Sequence, residues 1–162
     1  MEKYFFFAFR PDMAYKLQPP GRCDPRPGAA FPYSRGAAID HNPCLQCGAC
    51  CAFYRASFYW GETDLATLGG VPEAMTVKIN ERFVAMNGTE CHSPRCMALN
   101  GEIGVHVQCS IYARRASVCR AFVPSWENGI PNPRCDAARR KWSLPPLTPE
   151  SWEGPRPLPE SA

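Results

Sequence analysis

Four cysteines fall within eight residues, Cys44-Leu-Gln-Cys47-Gly-Ala-Cys50-Cys51, and no other feature restricts the fold as much. A C-x2-C turn brings two sulfurs within a few ångströms and directs backbone N–H groups at them, an arrangement suited to a tetrahedral thiolate site. Gly48, directly after Cys47, allows the positive φ that tight turns around a metal often need. Cys50 and Cys51 are adjacent, and neighbouring Cα atoms lie about 3.8 Å apart, short of the roughly 4.4–6.8 Å of an ordinary disulfide. In extended backbone, neighbouring side chains also point to opposite sides. The pair is therefore better suited to two metal positions, or to two irons of one cluster, than to one mononuclear ion.

Five cysteines follow this run, Cys91, Cys96, Cys109, Cys119 and Cys135, and Cys23 precedes it. Together with Cys44, Cys47, Cys50 and Cys51, the residues Cys96, Cys109, Cys119 and Cys135 make eight thiols, enough for two four-cysteine centres. Cys23 lies in a linker and reads as a free thiol, and Cys91 is left unassigned. Cys44, Cys47 and Cys50 match the first three positions of the bacterial ferredoxin run C-x2-C-x2-C-x3-C-P. Cys51 breaks that match, no Cys-Pro occurs, and a 4Fe–4S cluster would need a distant ligand such as Cys96 or Cys109. Zinc also accepts four thiolates, so the expected cofactor is zinc or iron, in one centre or two. His41, His92 and His106 read as solvated or packed imidazoles rather than ligands.

Ten cysteines in 162 residues fall below the roughly 8–10% of short secreted disulfide scaffolds. The aromatic run 4–9 starts after Glu2-Lys3 and ends at Arg10, shorter than the roughly 7–15 apolar residues of a secretory signal. No window approaches the roughly 18–20 apolar residues of a membrane span. The expected location is the cytoplasm, where thiols stay reduced and clustered cysteines are more often metal ligands than disulfides. A net charge of +3 is too small to imply nucleic-acid binding; the expected partner is a redox or protein partner, with no membrane. Arg95, Arg114, Arg115, Arg120, Arg134, Arg139, Arg140 and Lys141 cluster near the later cysteines, where they would offset the net negative charge of a thiolate centre. There is no H-E-x-x-H, no phosphate-binding glycine loop and no Ser–His pair at a motif spacing. No catalytic residue is assigned.

Residues 18–36 contain Pro19, Pro20, Pro25, Pro27 and Pro32 with Gly21, Gly28 and Gly36, a composition that sustains neither helix nor ladder hydrogen bonds. Residues 144–162 contain Pro145, Pro146, Pro149, Pro155, Pro157 and Pro159 and read as an extended, mobile tail. The chain thus divides into an irregular segment 1–41, a cysteine domain 42–142 and a proline-rich tail 143–162. Inside the domain, 53–60 suits a strand, and Thr63-Asp64-Leu65 suits a helical turn ended by Gly69-Gly70. Segments 77–80 and 82–86 suit a hairpin, as do the segments flanking Asn100-Gly101. Asp136 is placed to cap a helix over 137–142. The expected class is α+β: a small, irregular, metal-stapled domain of short hairpins and short helices with proline-rich tails.

The opening run, then Cys96-Met-Ala-Leu99, then Cys109-Ser-Ile-Tyr112-Ala-Arg-Arg115-Ala-Ser-Val-Cys119-Arg120-Ala-Phe122, together resemble the YkgJ-type cysteine-cluster proteins of bacteria. The resemblance runs over residues 42–142. It implies a C-x2-C-x2-C-C domain that chelates zinc or iron, and it names no reaction. One departure stands out: the family carries Arg-Pro where this chain has Arg115-Ala116, four residues before Cys119, and a proline there would stiffen the turn. Three functions are in view. One is a cytoplasmic zinc- or iron-binding cysteine-cluster protein. Another is an iron–sulfur electron-transfer or oxidoreductase accessory protein, and the third is a zinc-organised module that binds protein or nucleic acid.

Overall fold

The computed structural model describes residues 42–153, so the expectations for 4–9, 18–36, Cys23 and His41 lie outside the described residues. The elements are short throughout. Helix α1 (Cys44–Cys47) and a 3₁₀ turn (Cys50–Ala52) precede β1 (Ser57–Tyr59), β2 (Thr76–Lys78), β3 (Phe83–Met86), β4 (Leu99–Glu102) and β5 (His106–Cys109). Helices α2 (Ser117–Arg120) and α3 (Pro133–Lys141) follow, with a last 3₁₀ turn over Pro149–Trp152. The strands form a three-stranded antiparallel sheet, β1-β3-β2, and a separate β4-β5 hairpin. This is the small α+β domain expected.

The β2-β3 hairpin forms as the alternation predicts, with Val77 opposite Ala85. Its turn is closed by Asn80, whose Oδ1 accepts the N–H groups of Arg82 and Phe83, both at 2.9 Å, the local bonding that suits Asn to turns. The strand expected over 53–60 is confined to 57–59, because the Tyr54 N–H is drawn back to the Cys50 carbonyl at 3.1 Å. Thr63 to Thr67 makes one closed turn, with the Thr67 N–H on the Thr63 carbonyl at 2.9 Å.

Three local expectations are corrected. The second hairpin exists, but Asn100-Gly101 lies inside β4 and the chain reverses at 103–105, where Gly104 supplies the positive φ of 83°. The observed register sets Leu99 opposite Cys109 and buries both Leu99 and Val107; a turn at Asn100-Gly101 would break that pairing. Helix α3 begins at Pro133, not after Asp136. Asn132 is its cap, accepting the Arg134 N–H at 3.0 Å, and Pro133 occupies the first turn, where its missing N–H costs nothing.

The tail is the third correction. Through residue 153 it is docked: Leu147 is buried, the Pro145 carbonyl accepts from Arg139 Nε at 2.7 Å, and Trp152 Nε1 donates to the Ser125 carbonyl at 3.0 Å. Proline density argued against regular structure there, but a segment without ladder bonds can still be held by side chains.

The apolar interior is divided into small clusters. Phe58, Val71, Val84, Met86, Ala98, Ile111 and Ala116 form the largest, and Cys96, Cys109 and Cys119 pack on it. A second joins Cys47, Ala49 and Ala138 to Cys50, Phe53, Tyr54 and Leu144. A third joins Ala52, Leu99 and Val107 to Cys96 and Ile103. Cysteines therefore sit at the edge of every core.

Ala116 bears on the Arg-Pro departure. Its φ of −58° and ψ of 155°, and the −59° and 146° of Arg115 before it, are angles that proline and a pre-proline residue adopt. The substitution Ala116→Pro is expected to raise stability by about 0.4–1 kcal/mol by restricting the unfolded chain. Thermal unfolding checks this, and a lowered midpoint would mean that the proline ring does not fit the buried site.

Candidate metal centre

Helix α1 is a single turn whose ends are Cys44 and Cys47. Asn42 Oδ1 accepts the Cys44 N–H at 2.9 Å, and the helix stops at Gly48, which has a φ of 65°. A Cβ on Gly48 would lie 2.8 Å from the Val107 side chain, so the position requires glycine for conformation and for space. Gly104 in the β4-β5 turn donates to the Cys47 carbonyl at 3.0 Å. The second half of the cysteine run is thereby fixed against the hairpin.

The Cys50–Ala52 turn lies between α3 and β4. On one side, Trp142 Nε1 donates to the Ala52 carbonyl at 3.2 Å and the Tyr54 hydroxyl to the Arg134 carbonyl at 2.9 Å. Those bonds hold α3, and with it Cys135, beside Cys50. On the other side the Cys96 N–H donates to the Cys51 carbonyl at 2.9 Å. The Leu99–Cys109 register brings in Cys109, and α2 carries Cys119.

The eight thiols separate into two sets of four. Burial raises the Cys44 thiol to about 12, reinforced by Cys47 and Cys135. Cys50 is raised by its hydrogen bond to Cys135, then by burial and by the charges of Cys135, Cys47 and, last, Cys51. Cys135 is lowered by the same bond, so Cys50 holds the proton and Cys135 accepts it, helped by the Ser125 N–H and the Arg139 charge. Cys44, Cys47, Cys50 and Cys135 make the first set.

In the second, burial raises Cys51 to about 12, reinforced by Cys96, Cys119 and Cys109, with Cys44 contributing least. Cys51 is exposed as a residue, yet desolvation of its sulfur is the largest cause of that rise. Burial also lifts Cys96 to about 12, against the Ala98 and Leu99 N–H groups that face its sulfur, with Cys119 and Cys109 adding to the rise. Cys119 is raised by burial and by Cys109, and lowered by Arg115 and Arg120. The influence between sets is the smallest cause wherever it occurs, and the division falls between the adjacent residues Cys50 and Cys51.

None of these eight cysteines is in a disulfide. Cys91 is disulfide-bonded and is no thiolate donor. His92 and His106 are exposed. Among the described residues, no three His, Cys, Asp or Glu side chains already stand at coordination geometry, so the sulfurs are neighbours rather than a finished cage. Each set does have the donor chemistry of a zinc or cysteine-ligated iron centre. Three of the thiols, each raised to about 12 by burial and by neighbouring cysteines, sit where a bound cation would favour thiolate.

Sequence reasoning did not single out Ser125 or Trp142. Ser125 is fully buried; its N–H faces Cys135, its hydroxyl accepts the Asn132 N–H at 2.9 Å, and its carbonyl accepts Trp152. Nothing in the sequence around Ser125 marks it, because its role comes from contacts distant in the chain.

Residues 43–136, more than half of the chain, match the CxxCxxCC family, described as "Putative zinc- or iron-chelating domain". The chain is 49% identical over 106 residues to "Uncharacterized protein YkgJ" of Escherichia coli O157:H7, covering 65% of this chain and 96% of the relative. It is 44% identical over 106 residues to a protein named "Putative ferredoxin" of Acinetobacter calcoaceticus, covering 65% of this chain and 78% of that one. No solved structure matches significantly. Among the described residues, no helix is long and apolar enough to cross a membrane.

The raised thiols set the direction of a pH effect. A cation binds thiolate, and a thiol at about 12 is protonated at neutral pH, so uptake must expel protons. Zinc titration in weak buffer at pH 7 is expected to release about one proton for each of Cys44, Cys51 and Cys96 that binds the ion, with affinity rising as pH rises from 6 to 8. Uptake without proton release would mean that the ion binds elsewhere.

Proposed function

Starting from a chain that belongs to the CxxCxxCC family, we propose a cytoplasmic metal-binding protein with two centres. Cys44, Cys47, Cys50 and Cys135 hold one, and Cys51, Cys96, Cys109 and Cys119 hold the other, each taking zinc or iron. The observation that carries this reading is the parting of the thiols into two fours at the Cys50–Cys51 peptide. Four thiolates fill a tetrahedral ion and leave no open position for water or substrate. The centres therefore staple the chain or carry electrons, and hydrolysis is not part of the reading.

With iron bound, the centres would supply one-electron chemistry. The chain's own residues would hold the sulfurs and direct N–H groups of Ala98, Leu99 and Ser125 at them. This second reading, an electron-transfer or oxidoreductase accessory protein, is favoured by the relative named as a ferredoxin and by the exposure of Cys51, which gives a partner an approach to the second set.

Anaerobic purification with metal analysis and an absorption spectrum separates zinc from iron: a colourless protein with stoichiometric zinc removes the electron-transfer reading. The paired variants Cys50→Ser and Cys51→Ser test the two-centre claim. Each is expected to lose one centre and keep the other, and the two losses should differ when the remaining metal is probed with visible cobalt(II) spectra. If either single change empties both sites, or if both changes empty the same site, the assignment is wrong.

A further inference from the structure

Among the described residues, Arg139 is the one buried charged side chain, 8% exposed. It lies on α3 four residues after Cys135, a spacing that puts the two on one helix face. Its Nε donates to the Pro145 carbonyl at 2.7 Å, a neutral acceptor. The ion pairs among the described residues, Lys78–Glu81 and Arg120–Glu62, do not include it. A guanidinium cannot shed its proton to escape burial, so a buried one without a counter-charge is costly. The fold keeps it there nonetheless.

Its surroundings indicate what balances that charge. Arg139 lines a cleft with Cys47, Gln46, Gly104, Leu144 and Leu147, and its charge acts on Cys44 and Cys135. Three of the four sulfurs of the first set thus lie around it. Two carboxylates also act on these sulfurs, Glu127 on Cys44 and Asp136 on Cys135, but among the described residues neither forms an ion pair with Arg139. The second set differs: the cations near Cys119 are Arg115 and Arg120. Arg120 is exposed and spends part of its charge on Glu62 at 4.0 Å, and Arg115 is stacked on the Tyr112 ring at 3.7 Å.

We infer that Arg139 is the built-in counter-charge of the first centre, a positioning residue that neutralises part of the negative charge four sulfur ligands place on a divalent ion, and that it does so for that centre alone. The inference rests on the two-centre reading and adds an asymmetry to it. The first centre is balanced by a buried cation, the second by the half-buried Arg115 and the exposed Arg120, which salt screens more readily.

The test uses the full-length, zinc-loaded chain, with each metal withdrawn by a competing chelator. In the wild type both centres are titrated. Arg139→Gln keeps a side-chain donor for the Pro145 carbonyl and removes the charge. It is expected to loosen one centre by about 10–100-fold, the usual effect of losing a supporting residue behind the ligands, and to leave the other unchanged. Arg139→Lys keeps the charge and is expected to recover most of the affinity. Cobalt(II) spectra of the Cys51→Ser background, which retains the first centre, should show the loosened site to be that one.

Equal loosening of both centres would overturn the inference by making Arg139 a general stability residue. So would a Gln variant with wild-type affinity, or a Lys variant as weak as Gln. A Gln variant that does not fold beside a folded Lys variant supports the charge requirement, whereas failure of both overturns it. A wild type that takes up no metal sinks the two-centre reading itself, a result distinguishable from all of these.

Discussion

Everything in this small domain depends on the divergence of two neighbouring sulfurs. Cys50 turns toward Cys135 and the α3 helix, Cys51 toward Cys96, Cys109 and Cys119. The backbone between them is a single peptide bond of a 3₁₀ turn, so whatever holds one set also fixes the entrance to the other. Bonds flank the turn on both sides: Trp142 and Tyr54 bind α3 from one side, and the Cys96 N–H, just before β4, from the other. Elements separated by up to 90 residues in sequence are thereby gathered at one point.

The apolar core is too divided to organise the fold by itself. Its clusters are built largely from alanine and valine, with Phe58 and Met86 the main large side chains of the principal one. Domains whose core is thin commonly add metals or disulfides. Here the cysteines stand at the boundary of each cluster and would tie one to the next. Burial makes several of these thiols poor acids, and a bound ion would offset that cost. Arg139 makes the same trade, since its burial is costly unless something negative sits beside it.

Much of this was legible in the chain. The small α+β class and the β2-β3 hairpin followed from the short alternating segments, and the adjacency of Cys50 and Cys51 is the signal from which two positions are proposed. The failures share a cause: local signals were overruled by contacts distant in sequence. Asn100-Gly101 is a strong turn signal, but burying Leu99 against the hairpin and Val107 beside Gly48 moves the reversal to Gly104. Asp136 looked like a helix cap, but the Asn132-Pro133 pair starts the helix earlier and places Cys135 in its first turn. The proline tail gave no periodicity to read, and its docking depends on the single acceptor that Pro145 offers Arg139 and on Leu147 and Trp152. The partition of the four later cysteines was equally hidden, because spacing alone does not say that Cys135 joins the opening run while Cys96, Cys109 and Cys119 join Cys51.

If the sulfurs rather than the core hold the domain together, the bound ion dominates its stability. Structural zinc contributes roughly 10–16 kcal/mol of apparent binding energy, as much as the roughly 5–15 kcal/mol net stability of a whole domain. Thermal unfolding of the loaded chain, before and after chelation at neutral pH, measures this directly. The account predicts a cooperative transition that disappears when the metal is withdrawn and returns when zinc is restored. A metal-free chain that keeps the same cooperative transition at a similar temperature would contradict it.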